Sequence, residues 1–261
     1  MDDAAAGVPR FPDLEGRVAL VTGGSRGIGA ATCRAFAANG VKVAVNGRDQ
    51  SAIDSVVGEI TAAGGQAIGV AADVCRWEEI LAMRERVKTE LGSVDILAPF
   101  AGGFWAYTPT VDITEEEWHE VLDANLTSTF LTVKAFLPAM IERRHGAVVG
   151  MASNAARVLD DTLTASYAAA KAGIIQFIRH VAREVAQHGV RANCIAPGTA
   201  ATERIERNLT PERRQELALR APLGRLGTPE DSAYATLYLA SDAAAFLTGV
   251  TLDIAGGRVM T

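Results

Sequence analysis

Short apolar runs alternate with stretches of helical periodicity along the whole chain. Runs at 17–22, 41–46, 67–71, 94–98, 147–151, 190–195 and 250–254 are too short for buried helices and rich in Val, Ile and Ala, which predicts seven strands. Between them, periodic segments at 28–39, about 51–63, 77–91, 115–144, 166–187 and 229–241 predict helices, with Gly64 and Gly65 ending the second. Strict alternation of this kind is the signal of a single α/β domain: a doubly wound (Rossmann) parallel seven-stranded sheet with helices on both faces. Such a sheet holds its ligand in a crevice outside the carboxyl ends of the strands, so functional residues are expected just after strands. The domain is expected to span 16–261, preceded by a mobile arm at 1–15 from which Phe11 and Leu14 can pack on the domain edge. The long irregular stretch at about 199–227, with its charges on a short helix, reads as a lid.

Composition narrows the function. Hydrophobic residues make up 49% and charged residues 21% of 261, an ordinary globular balance. The net charge of -6 and the lack of a dense Lys/Arg block exclude a nucleic-acid footprint. Cys33, Cys75 and Cys194 form no CxxC pair and no cluster with the four histidines, so they read as reduced, buried thiols, with no disulfide framework and no metal site. The opening MDDAAAGVPRFPDLEG has no apolar run; neither a signal peptide nor a membrane span is expected, and the protein reads as cytoplasmic.

The segment VTGGSRGIGA carries two motifs at once. Gly23, Gly24, Ser25, Arg26 and Gly27 spell GxSxG, the elbow of a serine nucleophile. Gly23, Gly27 and Gly29 equally spell a turn that lets a dinucleotide phosphate approach the backbone at a helix N-terminus, beside Ile28. A hydrolase needs a later histidine at a strand end, whereas His119, His145, His180 and His188 all fall in or beside predicted helices, so the phosphate cradle is preferred. After the second strand, Gly47 stands where an NAD enzyme would place an acid, and Arg48 follows it. Arg26 and Arg48 together suit the 2′-phosphate of NADP.

Tyr167 and Lys171 lie four residues apart on one helix face, continued by Ile174, Ile178, Val181 and Val185, and that stripe must face inward. A phenol titrates near 10, and a positive charge within 4 to 6 Å lowers it by roughly 1 to 3 units. Lys171 is expected to supply that charge, fitting Tyr167 for proton transfer.

With TGGSRGIG and YAAAK, the chain resembles the short-chain dehydrogenase/reductase family, in particular its single-domain, ketoacyl reductase-like branch. Further matches are Asp73 with Val74, Asn125 in DANLTS, Ser153 in MASNAAR, CIAPGTAAT, and the tail from PLGRLG to IAGG. The resemblance implies that Ser153 orients a substrate carbonyl, Tyr167 passes its proton, Lys171 also holds the nicotinamide ribose, and Asn125 supports a water-filled proton relay. It further implies that Asp73 and Val74 border the adenine, that Pro197, Gly198 and Thr202 lie beside the nicotinamide, that Ser25 contacts phosphate or ribose, and that the protein is a homotetramer built on the helices around Asn125 and Tyr167. Ala101 and Gly102 are expected at the cofactor.

Two departures stand out. Where the family usually reads NNAG, this chain reads Pro99, Phe100, Ala101, Gly102, so the strand end needs other support. Ser153 lies 14 residues before Tyr167, one more than expected, which calls for a bulge and leaves Asn154 as a competing assignment. Phe104, Trp105 and Tyr107 near the crevice suggest a bulky apolar or aromatic ketone, with Asn154 also on the substrate side. The reading that joins these features is an NADPH-dependent ketone reductase acting on a small-molecule carbonyl, such as a ketoacyl or polyketide-like compound. An NAD-linked secondary alcohol dehydrogenase and a nonenzymatic NADP-binding regulatory protein are the alternatives.

Overall fold

The computed structural model describes residues 7–103, 107–159 and 163–260. Within them, β1 (Val18–Thr22), α1 (Gly27–Ala38), β2 (Lys42–Gly47), α2 (Gln50–Ala62), β3 (Ala67–Ala71), α3 (Trp77–Glu90) and β4 (Ile96–Pro99) form the first half. The second half holds α4 (Glu115–Leu122), α5 (Ser128–Arg143), β5 (Gly146–Met151), α6 (Ala165–Val185), β6 (Val190–Pro197), α7 (Glu203–Asn208), α8 (Pro211–Leu219), α9 (Pro229–Ala240) and β7 (Thr251–Ile254). The strands make one parallel sheet in the order β3-β2-β1-β4-β5-β6-β7. This is the predicted doubly wound architecture. The order reverses between β1 and β4, which locates the crevice between the loops that follow those two strands.

Burial on both faces explains the continuous apolar runs. Along β1, Val18 and Leu20 face a core with Ile80, Met83, Phe136, Ile174 and Ile178, from α3, α5 and α6. Ala19 and Val21 point the other way, to Phe36, Ile53, Ile60 and Leu237 from α1, α2 and α9. One residue of strand register thus selects between two cores.

The segment expected as a mobile arm to residue 15 is fastened over its described inner part. Leu14 is fully buried, a contribution of roughly 1.5–3 kcal/mol for such a side chain. The buried Asn39 amide accepts from Phe11 N (2.8 Å) and donates to Pro9 O (2.9 Å), while Asp13 accepts from Asp242 N (2.9 Å).

The predicted helix 115–144 is two helices joined by a π turn, Asp123–Thr127. Within the turn the Asn125 side chain donates to Val121 O, and just after it Ser128 and Thr129 donate to the carbonyls four residues back. The stretch 199–227 holds α7 and α8 rather than one short helix.

Candidate active site

The turn after β1 is built from glycines for steric reasons. Gly23 (φ +64°) and Gly27 (φ +51°) adopt left-handed backbone, and a β-carbon on Gly29 would stand 2.1 Å from Gly23 O. Arg26 precedes α1 in extended conformation without capping it through its side chain, so the first N–H groups of α1, from Gly27, Ile28 and Gly29, keep no side-chain acceptor. These amides and the helix dipole suit a dinucleotide phosphate, and the residues present fit that group. Ser25 packs beside the end of β2: a β-carbon on Gly47 would meet its Oγ at 2.7 Å. Among the described residues no histidine lies at the carboxyl end of a strand, which leaves the serine-nucleophile motif without a base.

Arg26 and Arg48 share the rim beside β2, both exposed. Arg26 is held by a short ion pair with Asp49, whose other oxygen accepts from Ser51 N and Ala52 N and caps α2. The Ser51 hydroxyl, which donates to the same oxygen (2.8 Å), contributes most to holding the Asp49 carboxyl below its ordinary range, followed by the Ala52 N–H and the arginine. Arg48 faces the loop after β3, where its charge acts on Cys75. There Val74 is buried, and Asp73 accepts from Cys75 N (2.9 Å) while its own N–H donates to Glu79 (2.8 Å).

Pro99 has no N–H to give, and the sheet accommodates it. Pairing of β4 with β1 runs to Thr22↔Pro99, but pairing with β5 ends at Leu97↔Val148. Support comes from two side chains: Thr22 Oγ1 accepts from Ala101 N (3.1 Å), and Asn125 accepts from Gly103 N and donates to Gly103 O, both at 3.0 Å. Asn125 is fully buried in the π turn and also donates to Val121 O (2.9 Å). Gly102 (φ +130°) lies against it, since a β-carbon there would stand 2.4 Å from Asn125 Oδ1. The structure thus joins Asn125 to the loop of Ala101 and Gly102. Phe104 and Trp105 lie outside the described residues, and Tyr107 is 55% exposed.

At the end of β5, Ser153 begins a 3-10 turn, Asn154–Ala156, its Oγ accepting from Ala155 N (3.2 Å) and donating to Asn154 Oδ1 (3.3 Å). It is Ser153 whose side chain hydrogen-bonds the Tyr167 phenol. Tyr167 and Lys171 are on the inner face of α6 as its stripe predicts, with Lys171 only 3% exposed. Their electrostatics differ from the expectation. The phenol is pushed above its ordinary value by burial, against which the Ser153 hydrogen bond and the charge of Arg204 act. The net shift is thus upward although the Lys171 ammonium lies 5.6 Å from the phenol ring centroid; that ammonium donates to Met151 O (3.0 Å). Burial pushes Lys171 itself down to about 8.

Beside β6, Gly198 N donates to Ile254 O (2.9 Å), extending the last strand pair from Pro197. Thr202 caps α7 and leans on the phosphate turn, because a β-carbon on Gly27 would meet its Cγ2 at 3.1 Å. Sequence reasoning missed three contributors. Asn46, buried, ties β2 to β3 by donating to Val70 O and Ala72 O (3.0 and 3.1 Å). Thr22 holds the β4 loop, and Arg204 approaches Tyr167 from α7. A polar residue ending an apolar strand was the available signal for Asn46 and Thr22.

Comparison with known proteins agrees with this geometry. Residues 23–258 match a family model described as enoyl-(acyl carrier protein) reductase. A 3-oxoacyl-[acyl-carrier-protein] reductase of Synechocystis sp. is 41% identical over 249 residues, 95% of this chain and 98% of that protein. A 3beta-hydroxysteroid dehydrogenase 1 of Eggerthella lenta is 36% identical over 252 residues, 96% of each. The crystal structure of a 3-oxoacyl-[acyl-carrier protein] reductase from Brucella melitensis superposes with a TM-score of 0.91 at 32% identity, over 96% of this chain and 94% of that one. Similarity over nearly the full length and a common fold lead to one assignment: the chain belongs to the short-chain dehydrogenase/reductase family, on its ketoacyl reductase-like branch, and is an oxidoreductase of C=O and CH–OH groups that works with a nicotinamide cofactor.

Proposed function

We propose that this enzyme reduces the ketone of a 3-oxoacyl-type compound to a secondary alcohol with NADPH. The observation that carries the reading is the Ser153–Tyr167 hydrogen bond at the carboxyl end of β5, with Lys171 buried one helical turn farther along. Bound NADPH supplies the hydride. Ser153 and Tyr167 present two hydroxyls to one carbonyl oxygen and orient it. Burial keeps the phenol protonated at neutral pH, the form that can hand a proton to an alkoxide as charge develops there. Lys171 holds its ammonium behind the phenol through Met151 O and is the residue for the nicotinamide ribose. Asn125 sets the height of the loop after β4 for the cofactor, and α7 with α8 forms the lid.

Arg26 and Arg48 are the residues for the 2′-phosphate. Hydrogen bonds to charged groups contribute about 1.5–3 kcal/mol, or roughly 10- to 100-fold in affinity. The double variant Arg26→Ala/Arg48→Ala is expected to lose NADPH affinity on that scale while NADH affinity holds, read by fluorescence titration. Equal affinities of wild type and variant for NADPH would remove both roles. The same titration tests the second reading, oxidation of a bulky secondary alcohol with NAD, which the resemblance to a steroid dehydrogenase favours. Wild type binding NADH far more tightly than NADPH would support it, and a ketone panel with no NADPH consumption would point to a nonenzymatic regulator.

The working form is proposed to be a homotetramer. Trp118 on α4 and Phe130 on α5 are exposed, and Phe130 meets Phe177 of α6 edge to face at 6.0 Å, which makes an apolar face on these helices. Sedimentation equilibrium is expected to give four chain masses, and Phe130→Asp to reduce them; a monomer in the wild type would end this reading. Among the described residues no helix is long and apolar enough to cross a membrane. The free thiols fit a cytoplasmic protein; Cys33 and Cys194 are buried as expected, whereas Cys75, on the loop after β3, is exposed.

A further inference from the structure

The first turn of α7 crosses the crevice. Thr202 leans on the phosphate turn at Gly27, and two residues later Arg204 brings Nη1 to within 3.3 Å of where a β-carbon on Gly103 would stand. Gly103 is fixed on both sides of its backbone by Asn125, so Arg204 borders a rigid part of the crevice wall. From there its charge reaches the Tyr167 phenol. Among the described residues no carboxylate lies at ion-pair distance from Arg204, although its neighbours Arg213, Arg220 and Arg225 on the same stretch all have one. An arginine presents five N–H donors in a fixed fork and is always charged. Beside a phenol that must bind a carbonyl, such a fork is a receptor for a second oxygen on the same substrate.

We infer that Arg204 is a specificity-determining residue: its fork donates to a second oxygen that the substrate carries two carbons from the ketone, whether an ester or thioester carbonyl or a carboxylate. In a 1,3-dicarbonyl compound the two oxygens can lie on one side of the carbon chain. With the ketone oxygen at Ser153 and Tyr167, the second then turns toward the loop at Gly103 and the start of α7. The inference rests on the reductase reading above and adds the group by which a 3-oxoacyl compound is told from a plain ketone.

The test compares wild type, Arg204→Ala and Arg204→Lys on three substrates of similar size: a β-keto ester, the free β-keto acid and a plain methyl ketone, each with NADPH. Arg204→Ala is expected to lower kcat/KM on the β-keto ester or the β-keto acid, mainly through KM, by tenfold or more beyond any loss on the plain ketone, where only its charge on the Tyr167 phenol is missing. The arm that loses more identifies the group: a loss largest on the acid and partly restored by lysine assigns a carboxylate, and a loss largest on the ester assigns a carbonyl. Equal losses on all three substrates overturn the inference, since Arg204 would then act through Tyr167 or the fold. No loss on either dicarbonyl substrate overturns it as well. A second measurement separates this inference from the reductase reading. In the presence of NADP, 3-hydroxybutyrate and its ethyl ester are expected to raise the melting temperature of wild type and not of Arg204→Ala. Such a difference without ketone turnover leaves the binding role standing and removes only the reaction; identical shifts in both proteins remove the role of Arg204.

Discussion

Tyr167→Phe is expected to lower turnover of the ketone by about 10²- to 10⁴-fold, the range that positioned proton transfer supplies, with NADPH affinity retained. The phenyl ring keeps the packing of Tyr167 on α6, so the change removes one hydroxyl and little else. Because burial raises the phenol above its ordinary value, wild-type reduction should hold across neutral pH and fall only in the alkaline range as the phenol ionises. A full-length pH profile with stopped-flow hydride transfer for both proteins checks this. Full activity in the phenylalanine variant would end the mechanism, whatever the fold.

The second large effect concerns stability. Lys171 is pushed down from 10.5 to about 8 by burial, so its native state releases a proton that the unfolded chain keeps. Between about pH 8 and 10.5 the unfolded chain therefore holds more of this proton, so the contribution of Lys171 to stability rises with pH across that window, while the thiols of Cys33 and Cys194, which burial pushes up from 9.0, contribute a fall above about pH 9. Below it, the penalty for a buried ammonium stands in full, roughly 3 kcal/mol at most by the interval between the two values. Lys171→Met removes the charge and should abolish that rise while lowering activity. At pH 7 it leaves the Met151 carbonyl without its donor, a cost of about 1–3 kcal/mol, so its melting temperature is expected to move little. The slope of stability against pH is the discriminating readout: parallel slopes for wild type and variant would show that Lys171 bears no buried charge. A net gain at any pH would mark the lysine as kept for chemistry at a cost in stability.

Strands and most helices were legible because both faces of a parallel sheet are buried, and continuous apolar runs record that. The first strand illustrates how closely: the run 17–22 predicts it, and Val18–Thr22 is found with all five residues buried. Two elements were not legible for the same reason in reverse. α7 has no buried residue and α8 only Ala218, so neither carries an apolar stripe for periodicity to detect. The π turn holds a buried amide, Asn125, that bonds both within the helix and to Gly103, a tertiary contact that apolar periodicity does not encode. In the site, helix spacing correctly brought Tyr167 and Lys171 to one face. It could not give the sign of the phenol's shift, because depth of burial and the turn of the lysine toward Met151 are tertiary facts. Asn125 was singled out through the family resemblance, but its grip on Gly103 needed the structure.

That grip has a mechanical side. Asn125 belongs to the seam between α4 and α5, and its amide is bolted to Gly103 through both a donor and an acceptor. The floor of the crevice therefore cannot shift without carrying the seam along, and the seam lies between the helices that display Trp118 and Phe130 outward. Asn125 thus ties the outward surface to Gly103 at the crevice, and substitutions there, far from the phenol, are expected to alter the spacing of the pocket.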